Sequence, residues 1–212
     1  MARYDFPDEA WDIIQPLLPA QSVIPRAGRS GAEHRMSING MFWVLCSGAP
    51  PVCKKHSDIA GDNGLGRSRG GFGTQIHLAT DAGCLPLNIV LSPGQSHESQ
   101  FALCLLDGIG VQRQNGSMKR RGYAMPVDTA YSGHALRNEQ SVIPRKSNEK
   151  MAANGRSQHD CDACRNRNVV ERCFGRLREY RRIVTRYDKT ARNYLAMVEW
   201  GCIRLIYQRL CN

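Results

Sequence analysis

Long apolar runs are missing from the sequence, and acidic residues are scarce beside basic ones. No stretch approaches the roughly 18 apolar residues of a membrane-spanning helix, and the first residues lack the apolar core of a secretory signal. We therefore expect a cytoplasmic protein with no membrane partner. The 19 Asp and Glu stand against 29 Lys and Arg, and the formal net charge of +10 favours a polyanionic partner such as nucleic acid.

No disulfide framework is indicated either. The nine cysteines are an odd number scattered along the chain, which without an export signal indicates reduced thiols. His159, Cys161, Cys164 and Cys173 are an alternative zinc site, because Cys161 and Cys164 have the spacing of a ligand pair. A structural zinc site generally needs a second well-spaced pair, and Cys173 lies on the apolar face of a predicted helix, where cysteine usually packs. Packing is favoured over a zinc-stabilised nucleic-acid module.

The N-terminal residues show helical patterning. Hydrophobic residues make up 42% of the 212 positions, enough for one medium domain with a small appendage. Residues 6–18 predict a first helix with Asp8 as its cap, and residues 38–45 predict a second helix that ends at Ser47–Gly48. Residues 1–50 are thus a helical N-terminal segment. It is either a helix-turn-helix-like DNA reader or a plain helical cap.

The rest of the chain predicts a mixed α/β layer. Residues 51–72 break all periodicity and are interpreted as an irregular linker. Alternation over residues 74–91, around a turn at Asp81, predicts an antiparallel hairpin. Helix, strand, helix, strand and further helices follow, so residues 73–212 are predicted to form an α/β domain with helices packed on a sheet.

One predicted helix sets a single carboxylate among many arginines. At about 100° per residue, Arg167, Glu171 and Arg178 lie within about 40° of each other, beside an apolar face. Between residues 165 and 192, ten Lys or Arg accompany three acids. A carboxylate beside arginines can hold a divalent metal while its neighbours hold a nucleic-acid backbone, although solvated surface pairs are the alternative. The arginines predicted to contact DNA are Arg167, Arg172, Arg176, Arg178, Arg181 and Arg182.

A second acid, Asp128, follows a short apolar run at 124–127. An acid at the end of a buried strand points out of the sheet edge, where ligands of α/β proteins gather. Asp128 would also serve as the N-cap of a helix predicted over residues 130–138. Together with Glu171, it could share divalent metal ions that activate a nucleophile and stabilise a leaving oxygen.

Three segments carry a family resemblance: GRSRGGFGTQIHLATD at 66–81, SPGQSHES at 92–99 and RNVVERCFGRLR at 167–178. They resemble bacterial insertion-sequence transposases of the acidic-triad (DDE) type, in the group around insertion-sequence families four and five. The resemblance implies an RNase H-like mixed sheet flanked by helices, with the helical N-terminal segment in front of it. It also implies a two-metal Mg²⁺ site and a homodimer that cuts and joins DNA, its partners being terminal inverted repeats and target DNA.

The resemblance assigns roles by position. Asp128 corresponds to the family's second acid and Glu171 to its third, and both would be catalytic residues and metal ligands. Arg167 and Arg178 match the basic positions around the third acid, whereas Cys164 stands where the family has Tyr.

The family's first acid has no counterpart in this chain. The family carries that Asp on a first central strand upstream of the segment at 66–81. Here residues 49–51 run almost directly into residues 52–57, which predicts a deletion junction within residues 51–72 and the loss of that strand. Asp58 and Asp62 are nearby but follow no apolar run, so the first acid is unknown. We expect impaired catalysis, and the alternative is a non-catalytic DNA-binding remnant that occupies element ends.

Overall fold

The computed structural model describes residues 5–20, 33–49, 63–112, 116–119, 125–126, 141–142 and 168–211. The chain divides into two compact units. One comprises residues 1–61 with residues 176–212, and the other comprises residues 62–175. Both ends of the chain thus contribute to the same unit.

The first unit is helical. Helix α1 spans Asp8–Ile14 and continues as a 3-10 turn at Gln15–Leu17, where Pro16 interrupts the α-helical hydrogen bonding. Helix α2 spans His34–Ser47. The prediction that Asp8 caps α1 was wrong, since Pro7 is the N-cap and Asp8 is the first helical residue. The Asp8 carboxylate instead accepts a hydrogen bond from Arg35 of α2, so it ties the two helices together.

Aromatic rings form the centre of this unit. Phe6 and Phe42 are fully buried and stack with ring centroids 5.2 Å apart and planes 4° apart. Tyr207 meets both rings edge-on, at 4.7 Å from Phe6 and 6.0 Å from Phe42. Because each buried aromatic removes a large apolar area from water, these residues account for much of the unit's stability.

Helix α2 ends at a glycine for a geometric reason. Gly48 has φ +69°, and its N–H donates to the Val44 carbonyl, a left-handed helix cap that favours glycine. A Cβ at this position would lie 2.8 Å from the Cβ of Arg181. The predicted stop at Ser47–Gly48 is therefore confirmed, and close packing adds to the requirement for glycine.

Three helices follow in the C-terminal part. Helix α4 spans Asn168–Arg178, α5 spans Arg181–Val184 and α6 spans Ala191–Leu210. Thr190 caps α6 by accepting a hydrogen bond from the Asn193 N–H. Gly201 of α6 is buried, and a Cβ there would meet Ile183 at 2.7 Å and Leu177 at 3.1 Å. This glycine lets α6 approach its neighbours closely.

The second unit contains the predicted hairpin. Strands β2 (Gly71–Thr80) and β3 (Pro86–Pro93) pair antiparallel, with Ile76 opposite Leu91 and Leu78 opposite Ile89. The Asp81 carboxylate accepts hydrogen bonds from the N–H groups of Gly83 and Leu85 and closes the turn. The hairpin prediction is confirmed.

A third strand extends this sheet where no regular structure was predicted. Strand β1 (Gly66–Ser68) pairs antiparallel with β2, so the part of residues 51–72 from Gly66 onward is not an irregular linker. Glycines allow this arrangement, because a Cβ on Gly94 would lie 3.0 Å from the carbonyl oxygens of both Gly66 and Gly73. The missed strand is three residues long, too short for a periodic pattern.

Short elements complete the described chain. A 3-10 turn at Glu98–Gln100 leads into α3, Ala102–Asp107, which is the helix predicted after the hairpin. Strands β4 (Val111–Gln112) and β5 (Met118–Lys119) pair antiparallel and were not predicted. Strands β6 (Met125–Pro126) and β7 (Ser141–Val142) lie within predicted apolar runs and pair in parallel. The predicted mixed α/β class is confirmed.

Candidate active site

Helix α4 separates buried apolar residues from an exposed polar arc. Val169, Cys173 and Leu177 are at most 6% exposed and recur at helical spacing. The exposed positions are Asn168, Glu171, Arg172, Gly175, Arg176 and Arg178. The helix forms because its apolar positions repeat every three or four residues, and this repeat directs Glu171 to solvent.

Glu171 is a single exposed carboxylate in the first turn of α4. Within the described part of the chain, no hydrogen bond or ion pair holds its side chain. The alternative of an ordinary helix-surface pair therefore finds no support from Arg172, Arg176 or Arg178. An exposed carboxylate without a protein partner can bind a hard divalent cation through its oxygens.

The arginines predicted to contact DNA differ in exposure. Arg172, Arg176, Arg178 and Arg181 are exposed and can reach a phosphate backbone. Arg167 lies outside the described residues. Four of the six arginines predicted to contact DNA are therefore exposed, whereas Arg182 is buried.

Arg182 is buried and engaged within the protein, which corrects the prediction that it contacts DNA. Only 3% of the residue is exposed. Its Nη1 donates to the Ala49 carbonyl at 3.0 Å, and its Nη2 donates to Asp188 Oδ1 at 2.8 Å. The guanidinium also lies 5.4 Å from the centre of the Tyr187 ring. Because these contacts join the end of α2 to the segment after α5, Arg182 is a structural residue.

Sequence reasoning missed this pair for a clear reason. Arg182 and Asp188 are six residues apart across the end of a helix, a separation without the geometric meaning of helical i,i+4 spacing. The local signal was only an acid close to a run of basic residues. The other hydrogen-bond partner of Arg182 is the Ala49 carbonyl, which is 133 residues away in sequence.

The other predicted acids and ligands are not described. Asp128, Asp58 and Asp62 lie outside the described residues, as do His159, Cys161 and Cys164 of the alternative zinc site. Of that set only Cys173 is described, and it is buried on the apolar face of α4. Over the described ranges, no three His, Cys, Asp or Glu side chains group in a way that could hold a metal ion.

The backbone before Asp128 is described. Strand β6 ends two residues before this acid and pairs in parallel with β7. Parallel neighbours require a crossover connection of about a dozen residues or more, and residues 127–140 provide that length. The short strand predicted to precede Asp128 is therefore present.

The described cysteines carry no sign of a reactive centre. Cys46, Cys84, Cys104 and Cys211 form no disulfide within the described residues. Burial raises the pKa of the Cys46 thiol, an effect partly opposed by the charge of Arg204. Burial likewise raises the pKa of Tyr180 to about 12, so its hydroxyl stays protonated at neutral pH.

Comparison with known proteins identifies the family of this chain. The family described as "Transposase DDE domain" matches residues 51–206, which is most of the chain. The chain belongs to the DDE transposase family. It is also 26% identical over 194 residues to a Burkholderia cepacia protein named "Putative transposase for insertion sequence element IS402". This similarity covers 90% of the chain and 86% of that protein, whereas no solved structure matches significantly.

Family membership fixes the class of reaction. DDE transposases transfer phosphoryl groups of DNA, and they generally use divalent metal ions. The insertion-sequence transposase predicted from the motifs at 66–81, 92–99 and 167–178 is thus confirmed. In the part of the chain that is described, no helix is long and apolar enough to cross a membrane.

Proposed function

We propose that this transposase cuts DNA at the terminal inverted repeats of an insertion sequence and joins those ends to target DNA. Asp128 and Glu171 are the catalytic carboxylates in this proposal, set in an RNase H-like domain over residues 73–212. The observation that carries it is the exposed carboxylate of Glu171, which no hydrogen bond or ion pair holds within the described residues, on a helix rich in arginine.

The donor chemistry of Glu171 fits magnesium. Mg²⁺ prefers carboxylate oxygens and usually binds through one or two carboxylates, with water and substrate phosphate completing its coordination. Asp128 and Glu171 would hold the metal, whose bound form activates a water or a 3′-hydroxyl and stabilises the leaving oxygen.

The exposed arginines of α4 and α5 bind the DNA backbone. Arg172, Arg176 and Arg178 share the solvent-facing arc with Glu171, and Arg181 lies beyond the helix end. Arginine forms charge-assisted, often bidentate hydrogen bonds to phosphate oxygens. Contacts of this kind fix the register of the duplex without reading its sequence. They would hold a scissile phosphate near Glu171.

The site proposed here is incomplete. The family's first acid has no counterpart before residue 66, with residues 51–72 as the proposed deletion junction and Asp58 and Asp62 as the nearest acids. Two carboxylates in place of three leave the metals under-liganded and the transferring phosphate poorly neutralised. We expect slow DNA cleavage and strand transfer by a homodimer on paired ends, with residues 1–50 adding a DNA contact.

A strand-transfer assay tests the role of Glu171. With Mg²⁺ and a pair of matched element ends, Glu171→Gln is expected to lower joining by on the order of a hundredfold or more, because it removes a metal ligand and keeps the side-chain shape. Glu179→Gln is the matched control, since Glu179 is exposed just beyond the end of the same helix. It should retain the parent rate.

Binding to the same DNA separates catalysis from recognition. Glu171→Gln should bind element ends at least as tightly as the parent chain, because the substitution removes a negative charge that repels phosphate. If the parent chain binds these ends but never joins them, the DNA-binding remnant describes its function. Equal joining by Glu171→Gln and the parent would refute the catalytic assignment.

A further inference from the structure

Gly175 is an exposed glycine inside α4, where glycine lowers helix stability. Its backbone is right-handed helical, so any residue could adopt the conformation. A Cβ at this position would meet nothing within 4 Å in the described part of the chain. The fold of the described residues therefore gives no reason for glycine here.

Two other helix glycines show what a structural reason looks like. Gly48 has a positive φ and would press a Cβ against Arg181. Gly201 is buried against Ile183 and Leu177, so a Cβ there would collide with both. Gly40 of α2 resembles Gly175, because it is exposed and has open space where its Cβ would lie.

Gly175 differs from Gly40 in its neighbours. At 100° per residue, Gly175 lies about 40° around the helix from Glu171 and about 60° from both Arg172 and Arg178. Its rise along the axis places it about 6 Å from Glu171, one turn further on. Gly175 is thus near the middle of the exposed polar arc, between Glu171 and Arg172 around the helix.

We propose that Gly175 is the position where the phosphodiester backbone of bound DNA approaches α4 most closely. This inference rests on the proposed function, in which the exposed arc of α4 faces DNA. Without a side chain at Gly175, a sugar-phosphate strand can lie against the helix while the flanking arginines bind its phosphates. A side chain at this point would hold the strand away from Glu171 and from those arginines.

A size series at Gly175 tests the inference on the full chain. Gly175→Ala and Gly175→Leu are compared with the parent in binding of a fluorescent mixed-sequence DNA duplex without metal, and Gly175→Ala is compared with Gly40→Ala in thermal unfolding. Both alanine variants should raise the melting temperature, by about 2 °C each, since alanine favours helix over glycine. Gly175→Ala should bind DNA about tenfold more weakly than the parent, and Gly175→Leu more weakly still.

Each outcome bears on the proposal. A rise in melting temperature with a graded loss of DNA binding supports it. If Gly175 had a purely structural role, its replacement would lower the melting temperature. Unchanged DNA binding by both Gly175 variants overturns it, and so does a lower melting temperature of Gly175→Ala. If the parent chain itself binds no DNA, the proposed function fails. If the parent binds and the Gly175 variants bind equally well, only this inference fails.

Discussion

Arg182 and Asp188 form an ion pair that is largely removed from solvent. The two side chains are 4% and 10% exposed, and their charged atoms lie 2.8 Å apart. Two charges taken out of water stabilise a fold only while each compensates the other, and removal of one partner leaves a costly buried charge. This arginine is therefore more important to folding than its exposed neighbours.

We predict that Arg182→Met lowers the free energy of unfolding by about 3–5 kcal/mol, because Asp188 is left buried without a counter-ion. Arg181→Met is the matched control, since Arg181 is exposed and adjacent, and its effect should stay within about 0.5 kcal/mol. Urea titrations followed by circular dichroism measure both. If Arg182→Met and Arg181→Met proved equally stable, the ion pair between Arg182 and Asp188 would not be the stabilising contact described here. The double variant Arg182→Met, Asp188→Leu should recover most of the loss.

His77 makes the hairpin unit sensitive to pH. The Ser92 hydroxyl donates to Gln75 Oε1 at 3.2 Å, so the 2.8 Å contact between His77 Nε2 and Ser92 Oγ requires the imidazole to donate. The ring also stacks on Phe101 with centroids 5.1 Å apart. Burial lowers the pKa of His77, and the charge of Glu98 opposes this only in part. The folded state therefore favours the neutral imidazole.

The sign of the pH effect follows from linkage. Above the unfolded pKa of about 6.5, His77 is neutral in both states and contributes no pH dependence. As the pH falls below that value, the unfolded chain binds a proton that the folded chain resists, so stability falls until the lowered folded pKa is passed. His77→Gln should remove this component between about pH 7.5 and pH 5. Urea midpoints measured across this range for His77→Gln and the parent check the difference in slope with pH.

Among the helices and strands, sequence patterns predicted correctly those in which apolar residues repeat over many consecutive positions. The hairpin β2–β3 and the helices α2, α4 and α6 repeat apolar residues over enough positions to show their period. Strand β1 and strands β4 and β5 have two or three residues each and exist because a neighbouring strand pairs with them. Such short strands have no detectable period of their own.

The same distinction holds for the candidate site. Glu171 was found because α4 displays it at regular spacing beside arginines, and its exposure agrees with that pattern. Arg182 is an arginine in the same basic segment, 165–192, yet it is buried. Its hydrogen-bond partners are either distant in sequence, as Ala49 is, or outside helical spacing, as Asp188 is. Residue type and period predict which face a helix exposes. They do not predict which charges a tertiary contact removes from solvent.

For the whole molecule, long-range pairing determines how the chain is divided. Residues 1–61 and 176–212 form one unit although the second unit lies between them in sequence. The sequence suggested a boundary at residue 73, where strand alternation begins. Aromatic contacts such as Phe6 with Tyr207 join the two ends of the chain, and no local pattern indicates them.

The net charge of +10 leads to a prediction for the whole molecule. DNA binding by phosphate contacts releases counterions, so the logarithm of the affinity should fall linearly with the logarithm of the salt concentration, by about 0.9 for each phosphate neutralised. Arg176→Gln removes one proposed phosphate contact and should reduce that slope by about one. Arg209→Gln removes the same charge from an exposed position on α6 and should leave the slope unchanged. Fluorescence anisotropy across a salt series measures all three proteins, and equal slopes for the two variants would mean that overall charge, rather than the exposed arc of α4, binds the DNA.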